Sequence, residues 1–204
     1  AAWMKRVSLV ADNLESIFTE TSEAVASVVP SDYTVYRLYL GSYASATACR
    51  NAIIANLNQG TLLMNYVGHG SVVRWAHENI FQASNIRSLT NSTTLPLVTA
   101  MCCGNGYFIY PSGYFNCLAE ELLYANGGAV AVIAPTGVSL TSVQMPFNKG
   151  LVQNLFGTGP ITIGAAVASA RISVYENYGE VGRNVIETFP LLGDPALRLK
   201  RDDD

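Results

Sequence analysis

The chain has 204 residues and a formal net charge of −3; half of its residues are hydrophobic and only 13% are charged. This composition excludes an intrinsically disordered chain, which needs low hydrophobicity and high net charge. It also excludes an electrostatic nucleic-acid binder, because there is no basic excess to neutralise phosphates. No apolar run reaches the ~18 residues that a membrane-spanning helix requires, so we predict no transmembrane segment.

Strand and helix patterns alternate along the chain. The predicted elements are, in order, a strand at 6–11, a helix at 15–29, a strand at 33–40, a helix at 45–58, a strand at 61–67, a helix at 79–89, a strand at 95–102, a helix at 114–124, a strand at 129–134, a loop at 135–145, helices at 147–156 and 161–175, and a strand at 188–192. The strands are continuous apolar runs, which is typical of a parallel sheet covered on both faces. Right-handed crossovers place the helices on both sides. We therefore predict a three-layer α/β/α sandwich with a mostly parallel central sheet, in one domain over residues 1–204.

The first residue is not Met, and no apolar run of signal length follows Lys5-Arg6, so we expect a domain excised from a longer precursor.

Two glycine-rich turns follow predicted strands. Gly68-His69-Gly70 follows the strand at 61–67, and Cys103-Gly-Asn-Gly106 follows the strand at 95–102. In sheets of this kind ligands bind beyond the carboxyl ends of the strands, and adjacent strands lie ~4.8 Å apart. An imidazole and a thiol placed there can form a pair in which the thiolate is the nucleophile. Backbone N–H groups of Gly70 and Cys103 are the natural donors to an oxyanion. The residues alone also allow a hydrogen-bonded loop histidine and a buried cysteine.

The other cysteines and the second histidine suggest no further chemistry. Cys49, Cys102 and Cys117 are predicted to be small buried hydrophobic residues, because free cysteine is usually buried. No spacing of Cys and His is typical of zinc. We expect His77, in a polar stretch, to face solvent. Asn91-Ser-Thr is a glycosylation sequon only in a eukaryotic secretory pathway.

Several segments together resemble the gingipain family of cysteine peptidases, peptidase family C25. They are Asn65-Tyr-Val-Gly-His-Gly-Ser71, Trp75, Leu95-Pro-Leu-Val-Thr-Ala-Met-Cys-Cys-Gly-Asn-Gly-Tyr-Phe108, Leu118-Ala-Glu120, Gly128-Ala-Val-Ala-Val-Ile-Ala134 and Leu192-Gly-Asp-Pro195. The resemblance implies a caspase-like fold and an exported bacterial protein, extracellular or on the cell surface, with a propeptide or flanking domains in its precursor. It also implies a cysteine endopeptidase that acts on peptides or proteins.

The resemblance implies a role for individual residues. His69 would be the general base and acid, and Cys103, which carries the following Gly-Asn-Gly-x-Phe, would be the nucleophile rather than Cys102. An acidic residue upstream orients the histidine in the family, and we predict Asp12, which lies 57 positions before His69 at a strand end. Asp12 could equally be a turn or helix-capping residue, and Glu15 is the second candidate.

We predict Trp75, Tyr107 and Val138 as walls of the substrate pocket, although Trp75 could equally belong to the core. The best-known gingipains cut after Arg or Lys and use an acidic residue in the primary pocket. The corresponding position here is Ile17, and the loop at 136–144 has no acid. We therefore predict an uncharged primary pocket, unless a distant carboxylate folds over it; the candidates are Glu78, Glu176 and Glu180.

Two other functions use the same residues. One is a caspase-like domain that binds a peptide without cleaving it. The other is a different cysteine-dependent acyl transfer, such as a transpeptidase. No cofactor is predicted. The family resemblance allows a structural calcium ion, but the chain has no EF-hand spacing, and no residue is assigned as a metal ligand.

Overall fold

The computed structural model describes residues 1–109, 116–158 and 161–201. The strands within these residues are β1 (Arg6–Ala11), β2 (Thr34–Tyr39), β3 (Leu63–Val67), β4 (Gly70–Ser71), β5 (Arg74–Trp75), β6 (Phe81–Gln82), β7 (Leu97–Met101), β8 (Ala131–Ile133) and β9 (Leu191–Leu192). The α-helices are α1 (Ser16–Ala26), α2 (Ala46–Gln59), α3 (Ala83–Ile86), α4 (Leu118–Tyr124), α5 (Thr141–Leu155) and α6 (Ile163–Thr188), with short 3-10 helices at Ala2–Lys5 and Leu40–Ser42.

The central sheet has the strand order β2-β1-β3-β7-β8-β9, and every pair is parallel except β8 with β9. Helices α1, α5 and α6 cover one face, where buried Phe18, Phe147 and Val167 belong to one hydrophobic cluster. Helices α2, α3 and α4 cover the other face, where Ile53 and Leu122 belong to a second cluster. The predicted three-layer sandwich is therefore confirmed.

Burial on both faces explains why the strands are apolar without alternation. In β1, Val7 and Leu9 belong to one cluster and Val10 to the other, and all three are fully buried. Successive side chains of a strand point to opposite faces, so both sets need an apolar surrounding. The predicted bounds of this strand, 6–11, match the structure.

The predicted helix at 79–89 is wrong for most of its length. Asn79 has a φ of 55° and Ala76 a φ of 57°, which lie in the left-handed region and are incompatible with a right-handed helix. The segment instead contributes strand β6 to the small antiparallel sheet β4-β5-β6, and within it only α3 is helical. The side chain of Arg50 donates from Nε to the carbonyl of Asn79 at 2.9 Å, which holds this turn against α2.

The C-terminal helices are longer than predicted. Helix α5 begins at Thr141, inside the predicted loop, and α6 continues to Thr188, interrupted only at Gly179 with a φ of 54°. The predicted strand at 188–192 is therefore reduced to β9. The predicted helix at 114–124 begins at Leu118 in the described part of the chain, and residues 114–115 lie outside the described residues.

The sequon asparagine is part of the core. Asn91 is 1% exposed, and its Nδ2 donates to the carbonyl oxygen of Gly128 at 2.9 Å. The side-chain amide that a glycan would modify is therefore already engaged inside the folded chain. Among the described residues, no helix is both long and apolar enough to cross a bilayer.

Candidate active site

The two glycine-rich turns lie side by side because β3 and β7 are parallel neighbours. Leu63 pairs with Leu97 and Val67 with Met101, a constant offset of 34 positions. His69 and Cys103 are also 34 positions apart, and each follows the last residue of its strand by two. The pairing continues past the strand ends, since Gly68 N donates to the carbonyl of Met101 at 3.1 Å. The register thus sets both residues at one height beyond the sheet, on strands ~4.8 Å apart.

Gly70 allows the two turns to touch. A Cβ atom at this position would lie 2.8 Å from Cys102 Sγ and 3.1 Å from the carbonyl oxygen of Cys103. Both distances are shorter than ordinary van der Waals contact, so a larger side chain would push the turns apart. Glycine is therefore required here for a close backbone approach.

Cys103 differs from the other cysteines in its exposure. Cys103 is half-buried, whereas Cys49, Cys102 and Cys117 are buried, and all four are free thiols. Burial raises the pKa of Cys49 and of Cys117 to about 11, and it raises the pKa of Cys102 well above its usual range. The prediction that these three are small buried residues is confirmed.

The imidazole of His69 contacts a carboxylate and two rings. Its Nε2 lies 3.1 Å from Glu15 Oε1. Phe18 packs edge-on against it, with ring centroids 5.2 Å apart. The ring of His77, which is exposed as predicted, lies 5.4 Å away between centroids.

Asp12 does not take the position at the ring that we predicted for it. Its carboxylate is 1% exposed and accepts the backbone N–H of Asn13 at 2.7 Å, of Leu14 at 3.3 Å and of His69 at 3.2 Å. These contacts make Asp12 a turn residue, the alternative that its sequence position also allowed. The contact with the imidazole is made by Glu15, at the start of α1.

Trp75 belongs to the core and not to the cavity wall. It is 1% exposed and stacks on Tyr66 with ring centroids 4.5 Å apart. Its Nε1 donates to Asn105 Oδ1 at 2.6 Å, and the amide of Asn105 donates to the carbonyl oxygens of Ser71 and Arg74. Through this bond to Asn105, Trp75 therefore anchors the turn Cys103-Gly-Asn-Gly106 to the hydrophobic core.

A cavity of about 430 Å³ opens beside Cys103. Its lining residues include Gly70, Gly104, Gly137 and two of the three predicted wall residues, Tyr107 and Val138. Among the described residues that line it, none carries a carboxylate or a basic group. Ile17 packs against the hydrophobic core instead.

Sequence reasoning missed two residues that hold these turns, Tyr66 and Asn105. Tyr66 Oη donates to the carbonyl of His69 at 2.5 Å and accepts the N–H of Ala76 at 3.0 Å. Asn105, which accepts from Trp75 and donates to the backbone of Ser71 and Arg74, is in the sequence only a polar residue of a glycine-rich turn. A tyrosine inside an apolar strand and a polar residue between glycines are the only signals that the sequence offered.

The described residues form no cluster of the side chains that most often bind metals. Within residues 1–109, 116–158 and 161–201, no three His, Cys, Asp or Glu side chains are grouped as metal ligands. A structural calcium ion stays a prediction from the family resemblance, because calcium also binds backbone carbonyl and amide oxygens.

Known proteins are similar to this chain in sequence and in fold. Gingipain R2 of Porphyromonas gingivalis is 31% identical over 157 residues, which cover 72% of this chain and 21% of that protein. The crystal structure of gingipain R, an Arg-specific cysteine proteinase, matches with a TM-score of 0.84 and 26% identity over 97% of this chain and 48% of that one. A complex of the pro- and mature domains of P. gingivalis RgpB matches with a TM-score of 0.84 and 24% identity, over 97% of this chain and 49% of that one.

This chain thus spans about a fifth of the curated relative and about half of each crystallised chain. The likeness confirms the caspase-like α/β class. The sequence model of peptidase family C25 matches residues 1–200. Since this match includes both glycine-rich turns and all the strands that position them, the chain belongs to peptidase family C25.

Proposed function

We propose that this chain is the catalytic part of a cysteine endopeptidase, with Cys103 as nucleophile and His69 as general base and acid. The observation that supports the proposal is the β3–β7 register, because these parallel neighbours end at matched positions and each is followed two residues later by one of the two side chains. A nucleophilic thiol needs access to substrate and a nearby base. Cys103 is half-buried beside the cavity, whereas Cys102 is buried with a raised pKa.

Glu15 is the acidic partner of the imidazole in this proposal. A carboxylate can only accept hydrogen bonds, so the 3.1 Å contact with Nε2 favours the neutral tautomer that carries its proton on Nε2. That tautomer leaves Nδ1 unprotonated and able to take the thiol proton. When the ring becomes an imidazolium, the carboxylate stabilises its charge.

The reaction follows from these groups. His69 Nδ1 takes the proton of Cys103 Sγ, and the sulfur forms a bond to the peptide carbonyl carbon. The N–H groups of Gly70 and Cys103 stabilise the oxyanion that develops. The carbon–nitrogen bond then breaks, and His69 gives the proton to the leaving amine. Water, deprotonated by His69, hydrolyses the thioester and releases the Cys103 thiol.

Digestion of a peptide library, read by mass spectrometry, tests the proposal. We expect the full chain to cleave peptides internally, and a peptidyl acyloxymethyl ketone to label Cys103. A domain that only binds peptides would do neither. A transpeptidase would transfer the acyl group to an added amine in preference to water.

We further propose that the enzyme is extracellular or on the surface of a bacterial cell, that it acts there on protein substrates, and that its precursor carries a propeptide. The support for this proposal is the P. gingivalis origin of the relatives and the pro-domain complex known for one of them.

Replacing Glu15 by glutamine should lower kcat by about tenfold to a hundredfold and leave KM and the melting temperature nearly unchanged. The loss should be smaller than the ~10⁴ caused by altering a buried triad carboxylate, because the Glu15 side chain is 54% exposed. Steady-state kinetics and thermal unfolding measure both effects.

Asp12→Asn is the matched control. It removes the charge of a buried carboxylate that holds three backbone N–H groups, so it should lower the melting temperature by several degrees. If Glu15→Gln were fully active, while Asp12→Asn stayed stable and lost kcat, Asp12 would be the partner of His69 after all.

A further inference from the structure

Gln144, in the first turn of α5, joins two separate loops of the candidate active site. It is 4% exposed. Its Nε2 donates to the carbonyl of Cys102 at 3.1 Å and to the carbonyl of Ser139 at 3.4 Å. An amide nitrogen carries two hydrogens, so it can serve both acceptors. One acceptor directly precedes Cys103, and the other directly follows Val138 of the cavity wall.

Backbone hydrogen bonds connect the same two loops. Gly104 N donates to the carbonyl of Gly137 at 3.1 Å, and Gly106 N donates to the carbonyl of Pro135 at 2.9 Å. Beyond Gly104 no backbone bond between the two loops reaches Cys102 among the described residues. The hydrogen bond from Gln144 to Cys102 therefore extends the connection between the two loops to the residue next to Cys103.

The peptide unit that Gln144 holds also contains a proposed oxyanion donor. The Cys102 carbonyl and the Cys103 N–H belong to one planar trans peptide, so the two groups point in opposite directions. Fixing the carbonyl toward α5 therefore fixes the direction of the Cys103 N–H away from α5. A donor is effective only when it is aimed at the developing oxyanion before the reaction.

We infer that Gln144 is a positioning residue that aims the Cys103 N–H and couples it to the cavity wall. The inference rests on the proposed function. It predicts that loss of the Gln144 amide damages acyl transfer but not the reactivity of the thiol itself. The reason is that the amide contacts neither His69 nor the sulfur through its described hydrogen bonds.

Gln144→Met tests the inference, because methionine has a similar length and no donor. We expect kcat for a cleaved peptide to fall by about tenfold to a hundredfold and KM to change less than threefold. The rate at which iodoacetamide alkylates Cys103 should stay within about twofold of wild type, since that displacement of iodide needs the thiolate but no oxyanion donor. Gln144→Asn, which keeps a buried amide but withdraws it by one methylene, should lose kcat in the same way and serves if the methionine variant does not fold.

Asn148→Ala is the control for packing. Asn148 lies one turn further along α5, is fully buried and exchanges hydrogen bonds with Asn65 at 2.6 and 3.1 Å. It should lower the melting temperature as much as Gln144→Met or more, with kcat nearly unchanged. Equal losses of kcat in the two variants would overturn the positioning role, as would a folded Gln144→Met or Gln144→Asn protein with wild-type kcat.

Hydrogen exchange separates a failure of this inference from a failure of the proposed function. Gln144→Met should speed exchange of the Gly104 and Gly106 amides by at least about tenfold, and Asn148→Ala should not. This readout needs no substrate. Unchanged exchange would overturn the coupling of the loops even in an active enzyme. A wild-type chain that cleaves nothing in the library would contradict the endopeptidase proposal and leave the exchange result standing.

Discussion

Cys103→Ala is expected to abolish peptide cleavage, lowering kcat by a factor of about 10⁴ or more. Without the sulfur no acyl-enzyme can form, and removal of a covalent nucleophile has costs of this order in comparable enzymes. The melting temperature should change little, because Cys103 is only half-buried. Cleavage of a fluorogenic peptide, with folding checked by circular dichroism, measures the effect.

Cys102→Ala is the matched control, one residue away. Its thiol is buried and packs against Gly70, so its loss should cost about 1 kcal/mol of stability and leave most of the activity. An inactive but folded Cys102→Ala protein, together with an active Cys103→Ala protein, would show that the nucleophile is assigned one residue too far along the chain.

Substrates with Arg or Lys before the cleaved bond should be poor, with kcat/KM about 10² lower than for small apolar residues. The described lining of the cavity beside Cys103 offers no carboxylate. A cation that loses water there without gaining a partner is disfavoured by ~3 kcal/mol, which corresponds to that factor. A positional-scanning set of fluorogenic peptides measures the preference. The arginine specificity of the crystallised relative is thus not expected to transfer to this chain.

Val138→Glu supplies the missing charge at the rim of the cavity. The side chain at this position is 78% exposed, so an ion pair there should be worth no more than ~1 kcal/mol. Cleavage after Arg should rise by about fivefold, with little change for apolar substrates. A wild-type preference for Arg or Lys would refute the uncharged pocket. Alanine variants of Glu78, Glu176 and Glu180 would then identify the distant carboxylate.

The boundaries of an element were predictable wherever an apolar run ends at a residue that disfavours its continuation. Strand β1 has its predicted bounds because the five residues that follow Arg6 are all buried, and the next residue, Asp12, is the polar residue that follows the strand. The segment at 79–89 shows the limit of such patterns. Ile80, Ile86 and Leu89 are all buried, as a helical period predicts. The left-handed backbone at Asn79, however, prevents a continuous helix, so the segment forms one strand of a hairpin and one short helix instead.

The placement of His69 and Cys103 was predictable for a related reason, since each follows a strand of known direction. The identity of the acidic residue that contacts His69 was not predictable, because Asp12 and Glu15 both follow β1 closely. The start of α1 decides which carboxylate reaches the imidazole, and no periodicity encodes that choice. Trp75 failed as a wall because hydropathy cannot distinguish an indole that lines a cavity from one stacked beneath it on Tyr66.

The engaged amide of Asn91 has a practical consequence for producing this protein. Oligosaccharyltransferase in a eukaryotic secretory host modifies the nascent chain before it folds, so the enzyme would meet Asn91-Ser-Thr while the side chain is still accessible. A glycosylated Asn91 keeps one Nδ2 hydrogen, but its sugar has no room in the native interior, where this residue is 1% exposed and bonded to Gly128. Glycan on this residue would therefore mark polypeptide that cannot reach the native conformation, and expression in a bacterial host would avoid that fraction.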